Sequence, residues 1–448
     1  MTDNAPKPPP DKTLRWLIGI IVAVVVLVGG YAFYRWAVRR GVEKRFAAIR
    51  AAGQPVTLKE LDEWYPTPPV GLNGVDVYQR AFFAYSNTGG DNENLPVVNR
   101  AALPELGEPI QPEMLSAIRV YLAANDEALK LLHEAAAYEE CRFSINMSPG
   151  PGMLMPHLAK LRHAARILYL EAILKTEDGD AEGAVQAVSD SLAVGNSLRN
   201  EPILISHLVQ IACDSLSRAS FERILSRTEL TDAQLVSLRD AFRKAEAPEG
   251  MTRAFVGERC QGIARFESTA TPSAMVLKLM GLADMEAKEY MDIMNIYIAS
   301  AQASSTERQE LSREITKRIH ELPRWCVFSA MFLPALDRSI YEDSYDSARL
   351  RCAATAAVVE RYRLANGRFP GQLSDITPEY IAEIPTDPFT ASPLLYKMTD
   401  EGCVIYSVGQ DGKDDGGIEF ETDADGRRKS ARLDLPFRLL KRQPPVEK

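Results

Sequence analysis

The sequence predicts a mainly α-helical protein with three parts: one N-terminal transmembrane helix, an array of antiparallel helical hairpins, and a small α+β module at the C terminus. Three observations carry this reading. Residues 16–34 contain no charge. Apolar residues recur at spacings of three and four through the long middle stretch. Near residue 341 the pattern turns to short β-rich runs separated by turn residues. At 448 residues the chain also exceeds what one core usually holds, so several domains are expected.

Residues 1–15 begin MTDNAPKPPPDK, a polar, proline-rich tail expected to stay unstructured. Residues 16–36 follow as the transmembrane segment. Its nineteen uncharged positions, Trp16 to Tyr34, cover ~28 Å at helical rise, close to the hydrocarbon thickness of a bilayer. Arg15 and Arg35 bracket the run, and Trp16, Tyr31, Tyr34 and Trp36 sit where aromatic rings favour headgroups. The run is longer than a signal peptide's apolar region and ends in YAFYRWAVRR without a small-x-small site, so it reads as an uncleaved anchor.

Residues 37–111 are a basic juxtamembrane helix and a proline-rich connector. Arg35, Arg39, Arg40, Lys44, Arg45 and Arg50 outnumber Lys7, Lys12 and Arg15 before the span. Charge counting alone puts the body in the cytoplasm, unless these residues serve anionic headgroups on whichever side they emerge. Prolines from Pro55 to Pro112 leave room only for short helices, such as one over 74–86.

Residues 112–340 carry the helical array. Leu158, Leu161, Ala165, Leu168 and Ala172 mark one helix, ended by Gly179-Asp180. A second runs over 181–197 and a third over 203–225. Thr231 with Gln234 is a capping-box pair opening a fourth. The stretch EAILKTEDGDAEGAVQAVSDSL resembles one tetratricopeptide hairpin, although no copy recurs at a fixed period. Met275, Met280, Met285, Met291 and Met294 read as a deformable core in preference to a binding groove.

Chemistry is sparse. The net charge of −9 argues against a nucleic-acid partner. Six isolated cysteines form no metal-binding pattern and read as buried small hydrophobes. HExxH, a nucleophile elbow, a phosphate-binding loop and a dinucleotide fingerprint are all missing, and the five histidines read as structural. Asp178 and Asp180, and likewise Glu342, Asp343 and Asp346, read as solvated acids of helix-capping turns. No catalytic residue is assigned.

Residues 341–448 form the C-terminal module with its polar tail: a helix over about 345–365, then strand-like runs LLYK and CVIYSV. The ordered stretches VVERYRLANGRFP (358–370), IPTDPFTASPLLYK (384–397) and CVIYSVGQDGKDDGG (403–417) resemble the C-terminal region of the major pseudopilins of type II secretion, the pseudopilin G family. That resemblance implies a small α+β fold and a calcium ion held in the loop after the Tyr406-Ser407-Val408-Gly409 strand end. The matching positions are Asp411, Asp414 and Asp415, with Asp423 and Asp425 further on. Calcium takes six to eight oxygens, which carboxylates in a glycine-rich loop can supply, but the same Asp/Gly run suits any exposed turn.

The chain departs from the family at its start. No glutamate and no prepilin-peptidase site precede or enter the apolar helix, so it is a permanent tether and not a polymerising pseudopilin. The overall plan looks like that of bacterial single-pass membrane proteins carrying such a domain, and it tilts the body outside the cytoplasm, against the charge count. The expected function is a membrane-anchored, non-catalytic interaction or scaffolding protein of the bacterial cell envelope, with the bilayer and another protein as partners. The alternatives are an envelope enzyme whose site assembles only in three dimensions, and a calcium-stabilised structural component of a secretion-like apparatus.

Overall fold

The computed structural model describes residues 12–422 and 428–441. A 40-residue helix, α1 (Lys12–Ala51), opens it, so residues 12–15 of the expected tail are helical and residues 1–11 lie outside the described part. The helix is ~60 Å long. No residue of its apolar window is buried, and Leu17, Val24, Leu27 and Phe33 each expose more than half their surface. It is long and apolar enough to cross a membrane.

Beyond Tyr34 the same helix becomes part of the body. Val42, Phe46 and Ile49 share one face and enter a core with residues of α10 (Gly250–Glu267) and α12 (Leu282–Gln302). Three of the basic residues after Tyr34 are tied to acids of α10 and α12 and do not point into open solvent. Arg35 approaches Asp284 at 2.8 Å as an ion pair without hydrogen-bond alignment. Arg39 reaches Glu267 at 2.5 Å and Asp284 at 3.4 Å. Arg45 grips both oxygens of Asp292 at 2.7 and 2.5 Å.

Asp284 is buried and serves two arginines, so removing it should loosen the joint between α1 and the body. Asp284→Ala is expected to lower stability by about 2 kcal/mol, less than a fully buried pair would cost because both arginines keep some water. Urea unfolding in detergent micelles measures it. A change below about 0.5 kcal/mol would place the joint's strength elsewhere.

The connector holds two short helices, α2 (Leu58–Trp64) and α3 (Val75–Ala84), as the proline spacing requires. Next come α4 (Pro112–Ala124) and α5 (Asp126–Ala136). The hairpin of α6 (Pro156–Glu177) and α7 (Ala181–Asn196) turns at Gly179, φ +79°, and Asp180 caps α7 by accepting from Gly183 N at 2.9 Å. α8 (Leu204–Arg227) leads to α9 (Asp232–Ala245), which opens on the Thr231–Gln234 capping box. All four boundaries lie within three residues of those read from the sequence.

Methionines between 275 and 294 divide. Met291 and Met294 are core residues of α12, but Met275 and Met280 stand exposed on a nine-residue helix, α11 (Pro272–Met280). The core reading therefore fails for that pair. Helix α13 (Ser305–His320) precedes the longest element of the body, α14 (Val327–Asn366), another 40-residue helix that passes through Pro334.

Continuity of α14 corrects two expectations. The boundary drawn at residue 341 falls inside it, and Glu342, Asp343 and Asp346 lie mid-helix and not in a capping turn. After it come β1 (Leu395–Thr399), β2 (Gly402–Ser407), β3 (Phe420–Thr422), β4 (Arg428–Arg432) and β5 (Leu435–Leu440). β1, β2 and β5 form an antiparallel sheet with β2 central, Cys403 opposite Leu439 and Ile405 opposite Phe437. β3 pairs only with β4.

Three strands cannot bury a face alone. Phe437, Ile405 and Cys403 share one core with Val358 of α14, Val188 of α7, Phe221 of α8 and Phe242 of α9, and the Phe221 and Phe437 rings lie 5.5 Å apart. The module is thus built onto the array and uses its helices as the second layer.

Candidate functional site

Ionisable residues collect at two places that composition does not reveal. The first is a seam between α8 and α14. His207, Asp214 and Arg218 occur at i, i+7 and i+11 on one stripe of α8. His207 Nε2 meets Asp343 Oδ1 of α14 at 2.8 Å. Asp214 is 1% exposed and neither of its carboxylate oxygens has a hydrogen-bond partner. Gly195 of α7 makes room for it: a Cβ there would stand 2.8 Å from Asp214 Oδ1.

Burial first, then the charge of Asp346, pushes the Asp214 carboxyl well above its ordinary range. Asp346 is raised in turn, by burial and then by Asp343. The charge of each disfavours ionisation of the other, so burial and mutual repulsion together favour the protonated form at this seam. A His–Asp pair beside a protonated carboxylate is acid–base equipment. Neither carboxylate, however, lines the cleft described below.

Three other histidines also pair with polar groups, while His320 is exposed at the end of α13. His133 sits between Asp190 at 2.6 Å and Glu171 at 3.2 Å, which together raise it to about 10. His157 meets Glu201 at 3.1 Å. His163 faces the Tyr121 hydroxyl at 3.2 Å, and burial lowers its pKa. All six cysteines are free and buried, and burial raises the Cys141, Cys260, Cys326 and Cys403 thiols to about 12. They are not activated nucleophiles.

The second place is the acidic loop after β2. Asp411 is exposed and accepts from Lys413 N within its own turn. Asp414 Oδ1 accepts from the Tyr406 hydroxyl and from Gly416 N, both at 2.9 Å. Asp415 is brought against Asp434, which the sequence reading missed. Asp434 Oδ2 accepts from the amides of Asp415 and Gly417 at 3.1 and 2.7 Å. Asp415 Oδ2 and Asp434 Oδ1 are buried without partners, and burial, with Asp415 and Asp414 adding their charge, pushes Asp434 up to about 6. The available signal was an acid between Leu433 and Leu435, at the mouth of an apolar strand. Asp423 and Asp425 lie outside the described residues.

Two orphaned carboxylate oxygens suit a hard cation, whereas Asp411 does not turn toward them. Among the described residues, no three acidic, histidine or cysteine side chains converge closely enough to hold a metal by themselves. Calcium there would rest on Asp415 and Asp434, completed by backbone carbonyls and water.

Between this loop, α13 and α14 lies a cleft of about 350 Å³, bordered by Arg308, Arg313, Asp337, Phe389 and Asp411. Arg308 is fixed by the Ser344 hydroxyl at 2.6 Å, and Gln309 donates to the Phe389 carbonyl at 3.4 Å. The cleft therefore joins the array to the module. No protein-family model, curated protein or solved structure matches the chain.

Proposed function

We propose that this chain is a membrane-fixed, non-catalytic scaffold of the bacterial envelope that presents a helical body to a protein partner. One observation carries the reading: α1 runs without interruption from its bare apolar half into the core of the body. Its arginines are clamped to Asp284, Glu267 and Asp292, so the body is held at a set attitude to the bilayer and does not swing on a linker. A rigid mount suits a protein that positions others. The stretch EAILKTEDGDAEGAVQAVSDSL across the α6–α7 turn resembles a tetratricopeptide hairpin, a unit whose arrays commonly bind proteins, and this resemblance supports the reading. The likeness of residues 358–417 to the major pseudopilins supports a secretion-related setting.

The cleft between α13, α14 and the acidic loop is the surface we assign to the partner. A photoreactive benzoylphenylalanine at Gln309 or Arg313, irradiated in native membranes, should yield one adduct of discrete mass. The compartment of the captured chain then reports which face the body occupies. Absence of any adduct at both positions, with a control at exposed Phe83 equally blank, would count against the reading.

A second reading is favoured by the orphaned oxygens of Asp415 and Asp434: the module is a calcium-stabilised structural component. Millimolar calcium is then expected to raise the melting temperature of the full chain relative to chelator. The gain should vanish in Asp434→Asn. Identical melting with calcium and with chelator removes this reading and leaves the scaffold untouched.

A further inference from the structure

Helix α11 is the least explained element of the body. Of its nine residues none is buried, and Met275, Val276, Leu277, Leu279 and Met280 expose 63, 53, 45, 65 and 54% of their surface. Its one charge, Lys278, turns back to the body and binds the Glu267 carboxylate at 2.7 Å and the Glu267 carbonyl at 2.8 Å. Such a helix left in water would be an aggregation hazard.

Its place in the fold says what covers it. The Tyr31 hydroxyl donates to the Leu279 carbonyl, and the Tyr34 hydroxyl donates to the Met280 carbonyl at 3.4 Å and to Met285 Sδ at 3.1 Å. Tyr31 lies inside the uncharged run of α1, ~6 Å along the helix from Arg35. The C-terminal end of α11 therefore lies level with the last apolar turn of the anchor. Chain on both sides of it returns to the level of the arginines, since Glu267 binds Arg39 and Asp284 binds Arg35.

The backbone of α11 is prepared for a medium without water. Thr271 accepts from Ala274 N, Pro272 has no amide to satisfy, and Gly281 N returns to the Leu277 and Lys278 carbonyls. The last two carbonyls, of Leu279 and Met280, are taken by the anchor's tyrosines. Helix ends exposed to water need no such partners, but in lipid an unsatisfied carbonyl is costly. Gly281 adopts φ +80°, and a Cβ there would fall 2.7 Å from Arg35 Nη1 and 3.1 Å from the Tyr34 ring, so the turn is fitted against the point where α1 leaves its apolar run.

The geometry points to α11 as a second membrane-embedded element: a monotopic helix seated in the acyl–headgroup boundary beside the anchor, with the lipid bilayer as its partner. At ~13 Å it is too short to span. An interfacial helix of this kind buries its apolar side chains while its lone lysine reaches the headgroup level. With α1 it gives the body two contacts with the bilayer, which fixes rotation about the anchor as well as height. This inference rests on the reading of α1 as a membrane anchor, and the test separates the two.

Full-length protein carries an environment-sensitive NBD label at one engineered cysteine, Val276→Cys, Val24→Cys or Phe83→Cys, in phosphatidylcholine–phosphatidylglycerol nanodiscs with or without dibrominated acyl chains. The six native cysteines are buried and do not compete. Labels at 276 and 24 should both be quenched by brominated lipid and spared by iodide, and the label at 83 should behave oppositely. Quenching at 24 with iodide access at 276 overturns the inference and leaves the anchor standing. Protection at 276 from both quenchers overturns it in favour of a protein cover. A label at 24 that lipid does not quench overturns the anchor reading and this inference together.

Should a label disturb α11, the unmodified chain answers through its own methionines. Chloramine-T in water should oxidise Met331, which is 72% exposed on α14, well before Met275 and Met280 in nanodiscs. Equal rates at the three residues overturn the inference.

Discussion

Acidification from about pH 8 to about pH 5 is expected to stabilise this protein, the reverse of ordinary acid denaturation. Burial holds Glu258 at about 7, Asp434 at about 6, and the Asp214–Asp346 pair above the free aspartate range. A carboxyl whose pKa is higher in the folded chain binds its proton more tightly there. Its contribution is complete below the unfolded pKa and is lost as pH rises through the folded value. For Glu258 that window runs from 4.5 to about 7, and the shift corresponds to on the order of 3 kcal/mol.

His133 acts in the same direction at higher pH: raised by Asp190 and then Glu171, its contribution is complete below 6.5 and lost on the way to about 10. Groups of opposite sign act lower. Asp180 and Glu60 are held down by Lys175 and Arg50, and their contribution is lost only as pH falls below their ordinary 3.8 and 4.5. The optimum therefore falls at about pH 5. Urea midpoints in detergent micelles across this range check the sign. Asp214→Asn should raise stability at about pH 8 and flatten the profile, because the neutral amide removes a buried charge that Asp346 opposes. A wild-type midpoint that stays level or drops on acidification refutes the prediction.

Gly257→Ala is expected to lower stability by about 3 kcal/mol or to prevent folding. Gly257 lies on α10 where the helix crosses the start of α8, and a Cβ there would stand 1.8 Å from the Pro202 carbonyl oxygen and 2.8 Å from its carbon. Backbone cannot rotate aside as a side chain can. On its other faces α10 is equally held. Arg259, 1% exposed, bonds Asn295 of α12 and Gln54 after α1, both at 2.8 Å, so displacing α10 disturbs its joint with α1 as well. Gly152→Ala is the control, since a methyl there meets only Pro149 at 3.9 Å. Equal unfolding midpoints for both variants would show that α10 can shift at little cost.

The elements that sequence reading located are those whose free energy is local. The capping box at Thr231, the turn at Gly179 and the proline-limited helices of the connector each depend on neighbours within a few residues. Where the reading slipped, the deciding partner was distant. Asp343 and Asp346 look like capping acids in YEDSYDS, but α14 runs on through them because its face is covered by α8 and the sheet. Met275 and Met280 look like core residues until α11 is seen standing outside it. Of the five acids expected at one loop, Asp414 and Asp415 are drawn in, Asp411 stays out, Asp423 and Asp425 lie outside the described residues, and Asp434 joins from the link between β4 and β5.

The nineteen uncharged residues by themselves determined that one helix can cross a membrane, because length and apolarity are sums over adjacent positions. They also determined that it carries no acid of the pseudopilin kind. Only the tertiary structure decided that the helix continues into the core, that its arginines find Asp284, Glu267 and Asp292, and that Asp214 shares its surroundings with Asp346. Those pairings join residues remote in the chain. Their energies come from desolvation and contact geometry, which exist only once the helices have packed.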